Sequence, residues 1–355
     1  MAAPDRMNDF LTAPNPVDGG LRHARRSRRG KGVVAGIVVG ALLLVGGGAT
    51  AAWFGYRASL DGNLERIDAF EGLDESTRPS AAPAGPDTPV NILVLGSDSR
   101  ISAGDPTAWE AGAQRTDAIM LVHLSADRQT AAAISIPRDS WVPIPAYGEA
   151  KINAAFSYGG PGLMIQTVED LTGVRVDHFA VTDFESFTTL TDSLDGVEIT
   201  VPDGAGGSVR QAMDGEEALA FARERHALAN GDFGRVQRQQ AWMRAIVAKA
   251  NNNRSDPLKM AGFLQAVTSS VAVDEDFTFD RMQELFQSAG DISTNDITFM
   301  TAPYSGTGRS ADGQSIVVLD RTKFDPLMAA VAADELPEFL AANPDGMDVL
   351  PAVVQ

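Results

Sequence analysis

The chain has 355 residues, 44% of them apolar, enough to fill one large or two ordinary domains and too many for an intrinsically disordered protein. It has no cysteine, and its four histidines (His23, His123, His178, His226) include no H-x-x-x-H pair. This excludes disulfide scaffolds and thiolate nucleophiles, argues against a His-built zinc site and leaves any metal to carboxylates. The formal net charge of -18 argues against nucleic acid as a partner.

Residues 1–31 form a basic tail with seven Lys/Arg against three Asp. Residues 32–56 carry no charged side chain and are long enough to cross a bilayer, with Trp53 and Tyr56 as interfacial anchors at the far end. The positive-inside rule keeps the tail in the cytoplasm. A single-pass cell-membrane protein with an extracytoplasmic domain is therefore expected. Ala49-Thr50-Ala51 resembles a signal-peptide cleavage site, but the preceding basic region is far longer than such signals carry, and either reading exports the rest. Residues 57–88, ending in STRPSAAPAGPDTP, read as a linker, 89–335 as the folded domain and 336–355, with three prolines, as a loose C-terminal tail.

Within 89–335, VNILVLG (90–96), AIMLVHL (118–124) and TAAAISI (130–136) are strand-length apolar runs, the last two joined by a polar turn that predicts a hairpin. PGLMIQTVEDLTG (161–173) opens with proline in a first-turn position and stops at Gly173, as helices do. DHFAVTD (177–183), GVEITV (196–201), DITFMTAP (296–303) and SIVVLD (315–320) are further strands. Phe184 to Leu194, Leu258 to Val271, Phe279 to Ser288 and Pro326 to Ala333 are further helices. The alternation predicts an α/β domain.

The stretch Asp214 to Gln240 gathers Arg223, Arg225, Arg235, Arg238 and Gln239 in an otherwise acidic chain. Asp214 and Glu217 have capping-box spacing at the head of a short helix. Side chains two apart on a helix point about 200° apart, so Arg223 and Arg225 serve one ligand only if the helix ends near them. His226 to Gly231 supplies that ending. Asp232 reads as a second N-cap, after which Arg235 and Gln239, at i and i+4, share a face near a helix N-terminus, a setting that favours anions. Trp242 and Ile246 extend this stripe into the core, and Arg238 is expected to have a structural task. The alternative is a solvated basic face paired with Glu216, Glu217 and Glu224.

Asp98 follows the first strand and Asp117 precedes the second, so an antiparallel pairing brings both carboxylates to one sheet edge. The hairpin returns Pro137-Arg138-Asp139 to the same edge, with Arg115 alongside. Carboxylates with open positions suit Mg²⁺ or Mn²⁺, and arginines beside them supply forked donors to phosphate. The alternative for Asp98 is a turn cap paired with Arg100 or Arg115. No Walker loop and no nucleophile elbow is present.

NILVLGSDSR, RTDAIMLVHL, AISIPRDSWVPIP, KINAAFSYGG, DGEEALAFARER and DFGRVQRQQ, in that order, resemble the LytR-CpsA-Psr family of cell-envelope glycopolymer ligases over Val90 to about Ala250. The resemblance implies a single LCP-type α-β-α domain, a central mixed, largely antiparallel sheet flanked by helices, preceded by one transmembrane helix. It also implies a Mg²⁺-dependent phosphotransferase that moves a polyprenyl-pyrophosphate-linked glycopolymer onto a muramic acid hydroxyl of peptidoglycan and releases polyprenyl phosphate. Carried over by motif, Asp98 and Asp117 hold the metal. Arg115, Arg138, Arg223, Arg225, Arg235 and Gln239 hold the pyrophosphate, with Lys151 as a weaker addition, and Asp98 or Asp117 takes the acceptor proton. Asp98, Asp117, Arg115 and Arg138 form the expected catalytic set. The family often has Gly-Gly where this chain has Asp195-Gly196. A groove for the lipid is expected from Phe156, Phe179, Phe184 and Phe187, whose alternative is ordinary core. The Ala-, Gly- and Arg-rich composition points to a high-GC, actinobacterial source. The rival functions are a polyprenyl-pyrophosphate hydrolase and a non-catalytic binder of anionic envelope lipids.

Overall fold

Strand β2 (Val90–Ser97) is apolar on both faces because both are covered. It lies in an eight-stranded sheet in a computed structural model that describes residues 53–83, 85, 88–97, 116–224 and 231–355. The basic tail, residues 32–52 of the expected span, Asp98, Arg115 and Arg225 lie outside the described residues, as does the side chain of Phe184. Among the described residues no helix is long and apolar enough to cross a membrane.

In chain order the elements are α1 (53–63), β1 (Glu65–Ile67), β2, β3 (Thr116–Leu124), β4 (Ala131–Ser135), the hairpin β5 (Trp141–Ile144) and β6 (Gly148–Lys151), and α2 (Asn153–Thr172). Then come β7 (His178–Asp183), α3 (Phe184–Ser193), the hairpin β8 (Val197–Pro202) and β9 (Ser208–Met213), α4 (Gly215–Arg223), α5 (Asp232–Asn252) and α6 (Pro257–Thr268). The chain ends with β10 (Val271–Asp274), α7 (Phe279–Ser288), β11 (Ile297–Thr301), β12 (Tyr304–Arg309), β13 (Ser315–Leu319), α8 (Arg321–Ala332), α9 (Leu336–Ala342) and β14 (Asp348–Val349).

The sheet order is β1-β10-β7-β2-β3-β4-β11-β14. Strands β2 and β3 pair antiparallel from Val90↔Leu124 to Ser97↔Thr116, and β3 and β4 form the expected hairpin. The sheet is mixed: β1/β10, β2/β7 and β4/β11 are parallel, against four antiparallel pairings, so the antiparallel majority is slight. Alternation along β3 divides the core. Ile119 and Leu121 face a cluster with Phe156 of α2 and Phe324 of α8, while Met120 faces one with Leu190 of α3 and Trp242 of α5. The result is helices on both faces of one sheet.

In α2 the backbone breaks at Gly159 and Gly160, the latter with φ 65, so Pro161 does open a helical segment, with an extra segment from Asn153 ahead of it. Gly173 closes it with φ 69. Asp195 tolerates φ 59 and pairs with Lys259 at 2.7 Å, whereas a Cβ on Gly196 would stand 2.7 Å from Met213 O.

Two boundaries need correction. Residues 57–88 are not a linker: Leu60, Leu64 and Ala69 are buried, β1 joins the sheet parallel to β10, and Arg78 forms a buried ion pair with Glu169. Residues 336–355 are not a loose tail either. Strand β14 pairs with β11, and Leu350 and Val354 are buried against the α5 side of the sheet. Both segments are proline-rich but place a few apolar side chains at gaps in the core, and their burial outweighs the composition.

His123 of β3 is buried between Asn91 Oδ1, 2.8 Å from Nδ1, and Asp334 Oδ1, 3.0 Å from Nε2. Burial pushes its pKa below the ordinary 6.5, with Asp334 opposing that shift. A neutral ring donates from Nε2 to Asp334, and Nδ1 then accepts, which asks Asn91 to present its amide NH₂. Because the folded pKa lies below the unfolded one, this site's stability contribution is complete above about pH 6.5. It declines as pH falls from there toward the folded value, where the unfolded chain binds the proton first. His123→Gln is expected to flatten the melting temperature against pH across that window; equal slopes in both proteins would contradict this account.

Candidate functional site

One edge of the sheet collects the chemistry. The register brings the ends of β2, β4, β7 and β11 together with the starts of β3 and β10. Asp117 is the second residue of β3 and Arg138 follows β4, and Arg138 Nη1 contacts Asp117 Oδ1. From above, α5 adds Asp232 and Arg235. Arg235 Nη2 is 2.9 Å from Asp232 Oδ1 and its Nη1 is 3.9 Å from Asp117 Oδ1, while Arg138 Nη2 is 3.6 Å from Asp232 Oδ1. Two carboxylates and two guanidiniums thus alternate around a partly enclosed square in which each charge has an opposite neighbour on two sides. Arg235 is buried, which is tolerable for a cation only in such company.

The start of α5 explains why this corner works. Helix α5 begins at Asp232, not after it: Gly231, at φ 55, occupies the N-cap position, which corrects the expectation that Asp232 caps. Asp232 therefore lies in the first turn, where the helix dipole favours a negative charge, and one turn before Arg235. Gln240, fully buried, donates from Nε2 to Met300 O at 2.8 Å and Ser135 Oγ at 2.9 Å, pinning α5 to the ends of β11 and β4. Neither Asp232 nor Gln240 was in the expected site set. The i, i+3 spacing of Asp232 and Arg235 was the available signal for the first; nothing local marks the second.

Of the other expected residues, Arg223 ends α4 and is exposed, and Glu224 after it is extended, so the helix does stop where Arg223 and Arg225 require. The capping box of Asp214 and Glu217 is formed. Lys151 pairs with Asp139 at 3.1 Å, beside Arg138 in sequence, and so stands next to the square and not in it. Arg238 has the structural task expected of it, donating to Phe221 O and Gln355 O and lying over the Phe221 ring.

Gln239 lines an apolar cleft between the sheet and the helices, together with Met120, Phe187, Ala222, Trp242 and Met243. The cleft opens at the same edge, with Ser97 and Asp183 at its margin. Phe187, stacked on Trp242 at 3.6 Å between centroids, fits the expected groove. Phe156 and Phe179 do not: both are fully buried in the cluster on the opposite face, and are core.

The square's donor set is oxygen alone on the anionic side. Asp232 Oδ1 is shut off from solvent, and its ionic neighbours lack hydrogen-bonding angles to it. No group of three His, Asp or Glu side chains converges among the described residues. An all-oxygen donor set of this kind fits Mg²⁺ or Mn²⁺ and does not fit a soft metal.

Fold and site together define an α/β domain with an arginine-rich, carboxylate-lined edge beside an apolar cleft. The LytR_cpsA_psr family profile matches residues 64–332, and the chain belongs to that family. Cell wall biosynthesis protein LcpA of Corynebacterium glutamicum is 30% identical over 310 residues, 74% of this chain and 58% of that protein. The chain thus spans less than two thirds of this relative and of the probable LcpB of the same organism, which are in line with an actinobacterial source. Regulatory protein MsrR of Staphylococcus aureus is 31% identical over 258 residues, 68% of this chain and 73% of that protein. The solved structure of TagT bound to LIIa-WTA superposes with a TM-score of 0.57 at 26% identity, covering 74% of this chain and 98% of that one. The TagV structure of B. subtilis, at 23% identity, shows the shared fold alone.

Proposed function

We propose that this protein is a membrane-anchored phosphotransferase that moves a glycopolymer from a polyprenyl-pyrophosphate carrier onto peptidoglycan outside the cell membrane. The observation that carries the proposal is the alternating square of Asp117, Arg138, Asp232 and Arg235 beside an apolar cleft, with charge for a pyrophosphate on one side and an apolar lining that suits a lipid on the other. Family membership and the LIIa-WTA complex of TagT support the donor class. The uncharged stretch 32–56 behind a basic tail supports the anchor and the extracytoplasmic placement.

In this reading Arg138 and Arg235, joined by Arg115, Arg223 and Arg225 from the flanking segments, grip the phosphate oxygens, and Gln239 stands where head group passes into lipid. Asp117 and Asp98, with Asp232 adjacent, would hold Mg²⁺, which when bound supplies charge neutralisation for the pyrophosphate. The acceptor hydroxyl oxygen attacks the sugar-linked phosphorus. A new P–O bond forms as the bond to the bridging oxygen breaks, and polyprenyl phosphate leaves with that oxygen. The acceptor proton passes to a carboxylate at this edge, Asp98 or Asp117. The cleft measures about 70 Å³, so a long prenyl chain requires its walls to give, and Met120 and Met243 are the adaptable side chains there.

Incubating the full-length protein with donor labelled in the glycan, Mg²⁺ and peptidoglycan should place label in the insoluble wall fraction. Label appearing solely in a soluble product would identify a hydrolase, and donor bound without any turnover would identify a binding protein.

A further inference from the structure

Helices α1 and α6 lie side by side. The Tyr56 hydroxyl of α1 donates to Ala261 O of α6 at 3.0 Å, and from that contact both helices run into neighbouring parallel strands, where Glu65 of β1 pairs with Ala272 of β10. The two helices therefore point the same way. Whatever precedes Ala261 in α6 lies on the side from which the chain reaches Tyr56.

Leu258 lies there, one turn before Ala261 and roughly 4.5 Å further along the axis. Its side chain is 85% exposed, more than any other large apolar side chain among the described residues. A lone exposed leucine needs no explanation. This one has company. Phe286 of α7 is 39% exposed, with the Arg254 guanidinium 4.7 Å from its ring centroid. Arg254 stands just ahead of Asp256, which caps α6 by accepting from Leu258 N at 3.1 Å and Lys259 N at 3.2 Å. Helix α7 is also fixed to α1, since Phe279 N donates to Asp61 Oδ1 at 3.1 Å and Asp280 pairs with Arg57. Along the exposed stripe of α6, formed by Leu258, Gly262, Gln265 and Ser269, apolar bulk is confined to the first position. That pattern suits a contact made by the end of the helix and not by its length.

The sequence says what lies off that end. Residues 32–56 are uncharged, long enough to cross a bilayer, and lead directly into Tyr56. A span that closes on Tyr56 puts the membrane interface at the level of Ala261, and Leu258 beyond it on the lipid side. Leucine, phenylalanine, tyrosine and an arginine whose stem lies along an aromatic ring are the side chains of an interfacial surface.

We propose that this end of the domain, Leu258 of α6 with Phe286 of α7, dips into the outer surface of the lipid bilayer as a second contact beside the span. The proposal rests on the reading of residues 32–56 as a span. Two contacts fix the tilt of the domain, which one helix alone leaves free. The start of β10 lies at the sheet edge that carries the site, so a docked α6, about 18 Å long, sets how far that edge stands above the head groups.

The chain has no cysteine, so single labelling positions can be introduced. Full-length protein carrying Leu258→Cys, Phe286→Cys or Gln265→Cys, each labelled with a fluorophore, is reconstituted in vesicles of equal parts phosphatidylglycerol and phosphatidylcholine, with or without bromine on the upper acyl chains. Labels at 258 and 286 should lose about half of their emission to the brominated lipid, because an interfacial side chain sits roughly 5–10 Å below the head-group surface, whereas the label at 265 should lose none. Adding Leu258→Glu to the Phe286→Cys protein should restore the emission, with the melting temperature checking the fold. Equal emission at 258 with and without bromine overturns the proposal, as does quenching at 265 that matches quenching at 258. Shielding of the 258 label that follows the protein-to-lipid ratio and ignores bromine identifies a second copy of the chain as the occupant, and overturns it too. Flotation separates the two readings. Protein that fails to float with the vesicles sinks the span and the docking with it, whereas protein that floats without quenching sinks the docking alone and leaves the span.

Discussion

Asp117→Asn is expected to lower glycan transfer by about 10²-fold or more while leaving the protein folded. The carboxylate lies between Arg138 and Arg235, and asparagine keeps its shape while removing its charge. Two guanidiniums then share Asp232 alone, and their forks lose the alternation that holds them toward one point. In the proposed reaction the same carboxylate also holds the cation, so the variant should lose its response to added Mg²⁺ together with its turnover. Asp98→Ala is expected to behave alike, since the proposed reaction gives both residues the same cation. Asp232→Asn separates positioning from cation binding: weaker donor binding, seen as a raised KM, should exceed its loss in kcat. Initial rates with labelled donor check all three. Turnover of Asp117→Asn within threefold of wild type would remove the square from the chemistry and favour a non-catalytic binder.

The parts of this site that were legible in the sequence are those governed by local periodicity. The β3–β4 hairpin follows from one short polar connection between apolar runs of strand length, whereas the antiparallel β2–β3 pair, whose strands are separated by residues 98–115, entered as a condition that the register meets; together they fix the edge on which Asp117 and Arg138 meet. The end of α4 at Arg223 and the capping box at its start are likewise readable, because both depend on neighbours three or four residues away. What stayed hidden depends on partners remote in sequence. Gln240 is one more polar residue in a polar helix until the ends of β4 and β11 are placed beneath it. Phe156 and Phe187 look alike as residues, yet one is core under α2 and the other lines the cleft, because helices on opposite faces of the sheet carry them. The proline-rich segments at both ends misled for the same reason: composition describes a segment by itself, whereas β1 and β14 are held by strands more than 40 residues away.

Arg78→Ala is expected to destabilise the protein by about 3–5 kcal/mol, among the largest effects of any single substitution outside the site. Arg78 stands in the segment whose composition resembles a linker, but its side chain is 6% exposed and that of its partner, Glu169 of α2, is 2% exposed. The guanidinium donates from Nε to Glu169 Oε2 at 3.0 Å and from Nη2 to Oε1 at 2.9 Å, a forked pairing, and Nη2 also donates to Val176 O at 2.7 Å. Glu169 Oε1 accepts in addition from Val176 N at 2.8 Å. Alanine would leave a carboxylate desolvated with one backbone donor, and it would also remove the cation that lies over the Phe70 ring. The geometry is therefore coupled, and the coupling is the sharper test. Arg78→Met combined with Glu169→Leu replaces both charges by apolar groups of similar bulk, and the pair should be much less damaging than Arg78→Ala alone. Urea unfolding followed by far-UV circular dichroism measures the three midpoints. A cost below about 1 kcal/mol for Arg78→Ala, the range of an exposed ion pair, would mean that the segment before β2 is loosely attached after all.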